Sequence, residues 1–204
     1  MTENLLLGID IGTSSAKICV FSGTGELFAV GKSEYPLNIF DGKCYEQNAE
    51  DYWQGTLKAL REIEENNPGI LSRVKAVGVI GQTSTEIFVD KSGAPIRPAI
   101  IWKDTRATEE AEMIKRDFGE EKLYRLLGVK VPISANWAAS RLLWISRNEP
   151  ETVKKTYKIL QPKDFINYKL TGEYFSDKWI NNIENIRLLC GIDILCDIIN
   201  LQAV

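Results

Sequence analysis

The chain has 204 residues, enough for a sizeable core, and carries 25 basic and 28 acidic side chains for a formal net charge of -3. These charges are interspersed without a basic stripe, which argues against nucleic acid as the main partner. No apolar run reaches membrane-spanning length and the first residues are polar without a basic region, so neither a membrane partner nor a secretory signal is expected.

In chain order, residues 5–11 read as a strand buried on both faces and interrupted by one carboxylate, Asp10. A small hydroxyl-rich turn, Gly12-Thr13-Ser14-Ser15, leads into a strand over 16–22. The glycine turn 23–26 and a strand over 27–31 complete an antiparallel meander of three strands. Residues 35–48 read as a loop whose last residue, Asn48, caps a helix over 49–65 with Tyr52, Trp53, Thr56, Leu57, Leu60 and Ile63 on one face. Asn66-Asn67-Pro68-Gly69 stops it. A nearly continuous apolar strand over 74–80 ends in Gly81-Gln82-Thr83-Ser84-Thr85, and strands follow over 87–90 and 99–102. Helices are predicted over 107–117, over 119–127 with Gly128 as its stop, and over 137–147. A short strand, Ile159-Leu160, precedes a helix from Pro162 to about Leu170, closed by Gly172. Residues 181–187 fit either turn or helix, and 192–201 are apolar enough to pack against something.

Residue types narrow the chemistry. With no histidine in the chain, His-based triads and His-ligated zinc are excluded, and acid–base work falls to Asp, Glu, Lys or Tyr. The cysteines, Cys19, Cys44, Cys190 and Cys196, form no CxxC pair and read as free thiols of a cytoplasmic protein. Burying Asp10 between Ile9 and Ile11 costs several kcal/mol unless a partner compensates it. A divalent metal is one such partner, with the 12–15 turn donating to phosphate; a capped hairpin is the other reading. Asp10, the 12–15 turn, Gln82 to Ser84, and Asp104 to Arg106 all fall at strand ends, where ligands collect in α/β sheets.

Five segments in this order resemble the FGGY carbohydrate kinases, within the actin and hexokinase fold group. They are Leu7 to Lys17, resembling the phosphate-1 motif; Glu46-Gln47-Asn48 ahead of Trp53; and Ala76 to Gln82. The other two are Pro98-Ala99-Ile100-Ile101-Trp102-Lys103-Asp104-Thr105-Arg106, and Pro162-Lys163-Asp164-Phe165 with Leu170-Thr171-Gly172-Glu173. Within the family, the resemblance is nearest to the xylulokinases. It implies an α/β, ribonuclease H-like or actin-like ATPase fold, with three antiparallel strands followed by parallel strands and flanking helices. It also implies phosphorylation of a sugar or polyol by Mg-ATP. Asp10 would hold Mg²⁺ through water. Gly12, Thr13, Ser14, Ser15 and Lys17 would face the phosphates, and Gln82, Thr83, Ser84, Trp102, Asp104 and Arg106 the substrate. The plainer readings stand beside these: Lys17 as a solvated strand lysine, 82–85 as a polar turn, Trp102 as core, Asp104 with Arg106 as a structural ion pair, and Lys163-Asp164 as a helix start.

The sequence departs from the family at Thr83-Ser84, where xylulokinases carry Met-His and glycerol kinases Arg-Glu, so the sugar is left open. After Asp177 the family's small-residue motif is replaced by Lys178-Trp179-Ile180-Asn181, and no Gly-Gly-x-Asp segment with its catalytic aspartate occurs. The expected organisation is a sugar-binding N-terminal domain over 1–177 and a divergent tail over 178–204, without the second, ATP-binding domain and inactive alone. The alternatives are a non-catalytic sugar-binding or regulatory module and one subunit of a split kinase. The apolar tail makes a homodimer, or contact with the missing domain, a candidate association.

Overall fold

The computed structural model describes residues 4–127, 130, 132–176 and 202–203. Strands β1 (Leu5–Ile11), β2 (Ser15–Ser22) and β3 (Leu27–Glu34) form the expected antiparallel meander. The segment expected as a loop holds a small hairpin, β4 (Asn38–Phe40) and β5 (Cys44–Gln47), turned at Asp41 and Gly42, both with positive φ. Helix α1 (Ala49–Asn66) follows, and the Asn48 side chain accepts a hydrogen bond from Glu50 N at 3.2 Å, the cap that the sequence predicts. Strand β6 (Val74–Gly81) then pairs in parallel with β1, completing a sheet of order β3-β2-β1-β6.

This mixed sheet, three antiparallel strands followed by a parallel one, is the expected architecture, and the remaining strands form separate small sheets. β7 (Ile87–Val89) and β8 (Ala99–Ile100) precede helices α2 (Thr108–Asp117), α3 (Gly119–Leu127), α4 (Ala138–Asn148) and α5 (Pro150–Lys155). β9 (Lys158–Leu160) returns antiparallel to β7, while β8 joins β5. Helix α6 (Pro162–Thr171) ends at Gly172 in the left-handed conformation, as its sequence predicts. β10 (Phe175–Ser176) pairs in parallel with Gln202–Ala203. The Gly128 stop, Cys190, Cys196 and the rest of the tail lie outside the described residues. No helix among the described residues is long and apolar enough to cross a membrane.

The main sheet is one-sided, which corrects the expectation for β1. Leu5, Leu7, Ile9 and Ile11 are buried, whereas Leu6, Gly8 and Asp10 on the opposite face are half-buried. The buried face packs against α1, whose covered residues are Ala49, Tyr52, Gly55, Thr56, Ala59 and Ile63. Trp53, Leu57 and Leu60, expected on that face, are only partly buried, because the contact is made by small residues at close range. Gly31 is where β3 meets the helix: a Cβ there would lie 2.5 Å from the Ala59 carbonyl oxygen. A second core, with Phe88, Ile100, Ala111, Ile114, Leu142 and Ile145, joins β7–β9 to α2 and α4.

A buried ion network ties these layers together. Arg106 donates from Nε to both Asp104 oxygens at 3.0 Å, and from Nη2 to Asp104 Oδ2 at 2.8 Å and to Glu46 Oε1 at 2.7 Å. Arg97 donates to Glu46 as well and to Glu149 Oε1 at 2.9 Å, and Tyr45 N donates to Asp104 Oδ2 at 2.7 Å. Burial opposes the Arg106 charge, but the hydrogen bonds and charges of Asp104 and Glu46 outweigh it and hold its pKa above the usual range.

Three stability outcomes follow. Gly31→Ala should lower the unfolding free energy in urea by about 1–3 kcal/mol, since backbone must move to admit the methyl group. Arg106→Met, which strands the buried Asp104 charge, should lower it by about 3–5 kcal/mol. Lys154→Met, which breaks only the exposed pair with Glu151, should leave the urea midpoint in place.

Candidate functional site

Parallel pairing places the carboxyl ends of β1 and β6 side by side. Gln82 N donates to Ile11 O at 2.8 Å, so the turn after β6 begins where the turn after β1 begins. The first turn is closed by Gly12 N donating to Ser15 O at 3.0 Å, and Tyr35 OH donates to Gly12 O at 2.5 Å. Ser15 is buried in the ladder opposite Glu34, so Thr13 and Ser14 form the tip. Asp10 lies opposite Lys17 in the β1–β2 register, which puts both side chains on one face, with Lys17 exposed and Asp10 half-buried. Burial pushes the Tyr35 phenol's pKa up, and the nearby Asp10 carboxylate adds to the rise.

The two turns are joined by side chains. Trp102 Nε1 donates to Thr13 Oγ1 at 3.0 Å, and Thr13 Oγ1 lies 3.3 Å from Gln82 Oε1, to which it donates. Gln82 Nε2 donates to Gln47 Oε1 at 3.1 Å and to Tyr52 OH at 3.2 Å. Gln47, almost wholly buried on β5, returns to the first turn by donating to Thr13 O at 2.8 Å and to Pro36 O at 3.2 Å, and its Oε1 also accepts from Tyr52 OH at 2.9 Å. The Gln82 amide is therefore a strut between the turns, with its orientation set by Gln47.

Beyond this strut opens a cavity of about 450 Å³ lined by Gly81, Gln82, Thr83, Ser84, Trp102 and Asn136. Its side chains are neutral amides, hydroxyls and an indole, a set that both donates and accepts hydrogen bonds. Ser84 has φ 50°, a left-handed conformation costing a non-glycine residue about 1–2 kcal/mol. Three contacts hold its turn: Gln82 to Gln47, Thr85 N donating to Gln161 Oε1 at 3.1 Å, and Arg141 Nη2 donating to Ser84 O at 2.7 Å.

The structure thus brings together Asp10, Gly12, Thr13, Ser14, Lys17, Gln82, Thr83, Ser84 and Trp102. It does not bring Asp104 and Arg106 to the cavity. Both are buried in the ion network, which engages both oxygens of Asp104, and neither lines this space, so the structural reading of the pair replaces the substrate-contact one. Lys163 and Asp164 open α6: Asp164 Oδ2 accepts from Gln161 N at 3.1 Å in a capping box, and Lys163 Nζ donates to its Oδ1 at 2.5 Å. Sequence reasoning missed Gln47 and Tyr52 as the strut's support, and Asn136, Gln161 and Arg141. The motif containing Gln47 pointed at the right stretch, and Arg141 within the apolar run 137–145 was an unread signal of a buried, paired charge.

Asp10 accepts no hydrogen bond from the described residues, and no group of three metal-ligating side chains converges among them. A lone carboxylate suits a Mg²⁺ ion that keeps most of its waters, and does not suit a metal caged by protein.

The sequence profile of the FGGY family of carbohydrate kinases, N-terminal domain, matches residues 5–182. The xylulose kinase of Escherichia coli is 30% identical over 85% of this chain and 34% of its own length. The glycerol kinase of Thermococcus gammatolerans is 32% identical over 86% of this chain and 36% of its own. The crystal structure of a xyloylose kinase from Brucella ovis superposes with a TM-score of 0.79 at 26% identity, covering 85% of this chain and 36% of that one. A ligand-bound xylulose kinase structure from Lactobacillus acidophilus reaches a TM-score of 0.82 at 19% identity, covering 98% and 41%, a likeness of fold. The chain spans about a third of the length of the curated relatives that it matches. Its fold is that of the actin-like ATPases, and the chain belongs to the FGGY family of carbohydrate kinases, matching their N-terminal domain.

Proposed function

We propose that this chain is the substrate-binding part of an ATP-dependent sugar kinase, with a xylulose-like ketopentose as the favoured acceptor and the cytoplasm as its compartment. The observation that carries this reading is the cavity beside the first turn: Trp102 lines it and also donates to Thr13 in that turn. A polyol bound there would sit one hydrogen bond from the residues placed to meet phosphate. Among the described residues the lining contains no charged side chain, which favours a neutral polyol over a sugar acid.

In this reading Asp10 would hold a hydrated Mg²⁺, which would supply charge neutralisation for the polyphosphate. The chain's own residues do the positioning. Thr13 and Ser14 present the tip of the first turn to the phosphates, and Lys17 adds positive charge on the Asp10 face. Gly12 closes the turn rather than contacting phosphate through its N–H, which is already donated to Ser15. Gln82 fixes the distance between this turn and the polyol site through its bonds to Thr13 and Gln47. The general base and the adenosine site belong, on this reading, to the two thirds of the relatives that this chain does not span, so the chain alone binds sugar weakly and does not turn over.

Calorimetric titration with D-xylulose, glycerol and D-gluconate tests this. The expected result is saturable binding of a neutral polyol with Kd about 1 mM, lost in Trp102→Ala and retained in Lys154→Ala. No saturable binding, or preference for the acid, overturns the substrate assignment; coupled ADP release by the chain alone overturns the division of labour. Gln47→Leu should weaken binding and destabilise the fold by about 1–3 kcal/mol, because Tyr52 OH and Thr13 O lose buried partners.

A further inference from the structure

Arg141 sits on α4 with 1% of its surface exposed. All five of its guanidinium N–H donors are engaged. Nε and Nη2 grip the buried Glu86 carboxylate in a bidentate pair, both at 2.8 Å. The second Nη2 hydrogen goes to Ser84 O at 2.7 Å, and Nη1 donates to Asn136 O at 2.7 Å and to Ile101 O at 3.4 Å. Burial pushes the Glu86 carboxyl's pKa up, and the Arg141 charge and hydrogen bonds pull against that rise.

The three carbonyls belong to three separate segments. Ser84 and Asn136 line the cavity, and Ile101 immediately precedes its Trp102. One guanidinium therefore holds the sugar-side turn, the tryptophan segment and the 134–136 loop at fixed separations. It does so where the backbone needs holding, since Ser84 is in the left-handed conformation. Glu86 offsets the buried charge and also sets the guanidinium plane, so the direction of every donor is determined. We propose that Arg141 is a positioning residue for polyol recognition, acting through these three carbonyls and touching no substrate. This rests on the reading of the cavity as the polyol site and adds the element that sets its shape. Lysine retains the charge for Glu86 but has three donors and no plane, so Arg141→Lys removes the clamp while leaving the ion pair.

The test compares the parent chain with Arg141→Lys and with Ile145→Val, a core change on the same helix that affects stability alone. Titration with D-xylulose well below each melting temperature should show Kd raised about tenfold or more in Arg141→Lys, the scale of one charge-assisted hydrogen bond, and unchanged in Ile145→Val. Amide hydrogen exchange gives a reading that needs no sugar. Thr85 N, which donates to Gln161, and Glu86 N, which donates to Ile100 O, should exchange faster in Arg141→Lys, with β1 and β2 unaffected. Affinity within twofold of the parent, or a loss matched by Ile145→Val, overturns the proposal. If the parent binds no polyol, the substrate reading fails and the exchange arm decides the clamp: unchanged protection at Thr85 and Glu86 overturns it, and selective loss supports it.

Discussion

The site depends on the parallel pairing of β1 with β6. Asp10 faces Ile80 and Ile11 faces Gly81 across this pair, and the two strands run in the same direction. Their carboxyl ends therefore coincide, and the turns at 12–15 and 82–85 become neighbours. Antiparallel pairing would have put the second turn at the far end of a seven-residue strand, roughly 20 Å away. The long connection through β2, β3 and α1 is what makes the parallel arrangement available, and α1 then closes the buried face of the sheet.

Adjacent turns are not yet a defined site. Three buried polar groups convert proximity into geometry: the Gln47 amide, the Arg141–Glu86 pair, and the Arg106 network. Burying such groups is costly, and leaving any one of them half-paired is costlier still. Each is therefore useful as a constraint, since displacing one carbonyl or one amide strands a group with no water to replace its partner. Gln47 holds the start of the turn at Gln82, Arg141 holds Ser84, and Gln161 holds its end at Thr85. A strained Ser84 is compatible with this dense support and would not be with a free loop.

Much of the frame was legible along the chain. The three-strand meander, the Asn48 cap, the Gly172 stop and the helices over 108–117 and 138–148 rest on local periodicity and turn chemistry, which a sequence displays directly. The β4–β5 hairpin was hidden because Gly42 and its neighbours read equally as loop. Burial on both faces of β1 was misread because an apolar run says nothing about which side is covered. Gln47 was visible only as part of a motif, since an amide declares no partner until the fold supplies Thr13, Tyr52 and Gln82.

By itself, the sequence determined the family, the meander with its small hydroxyl-rich turn, and the absence of histidine from this chain, because motif order, strand patterning and residue type are all one-dimensional properties. Only the tertiary structure decided which polar residues face the cavity and which are internal ties. Asp104 and Arg106 sit at a strand end just as Thr83 and Ser84 do, yet the first pair is enclosed by Glu46 and Tyr45 while the second borders open space. A side chain's exposure depends on residues distant in the chain, such as Arg141 beneath Ser84, 57 positions away. Spacing along the sequence carries no information about that contact.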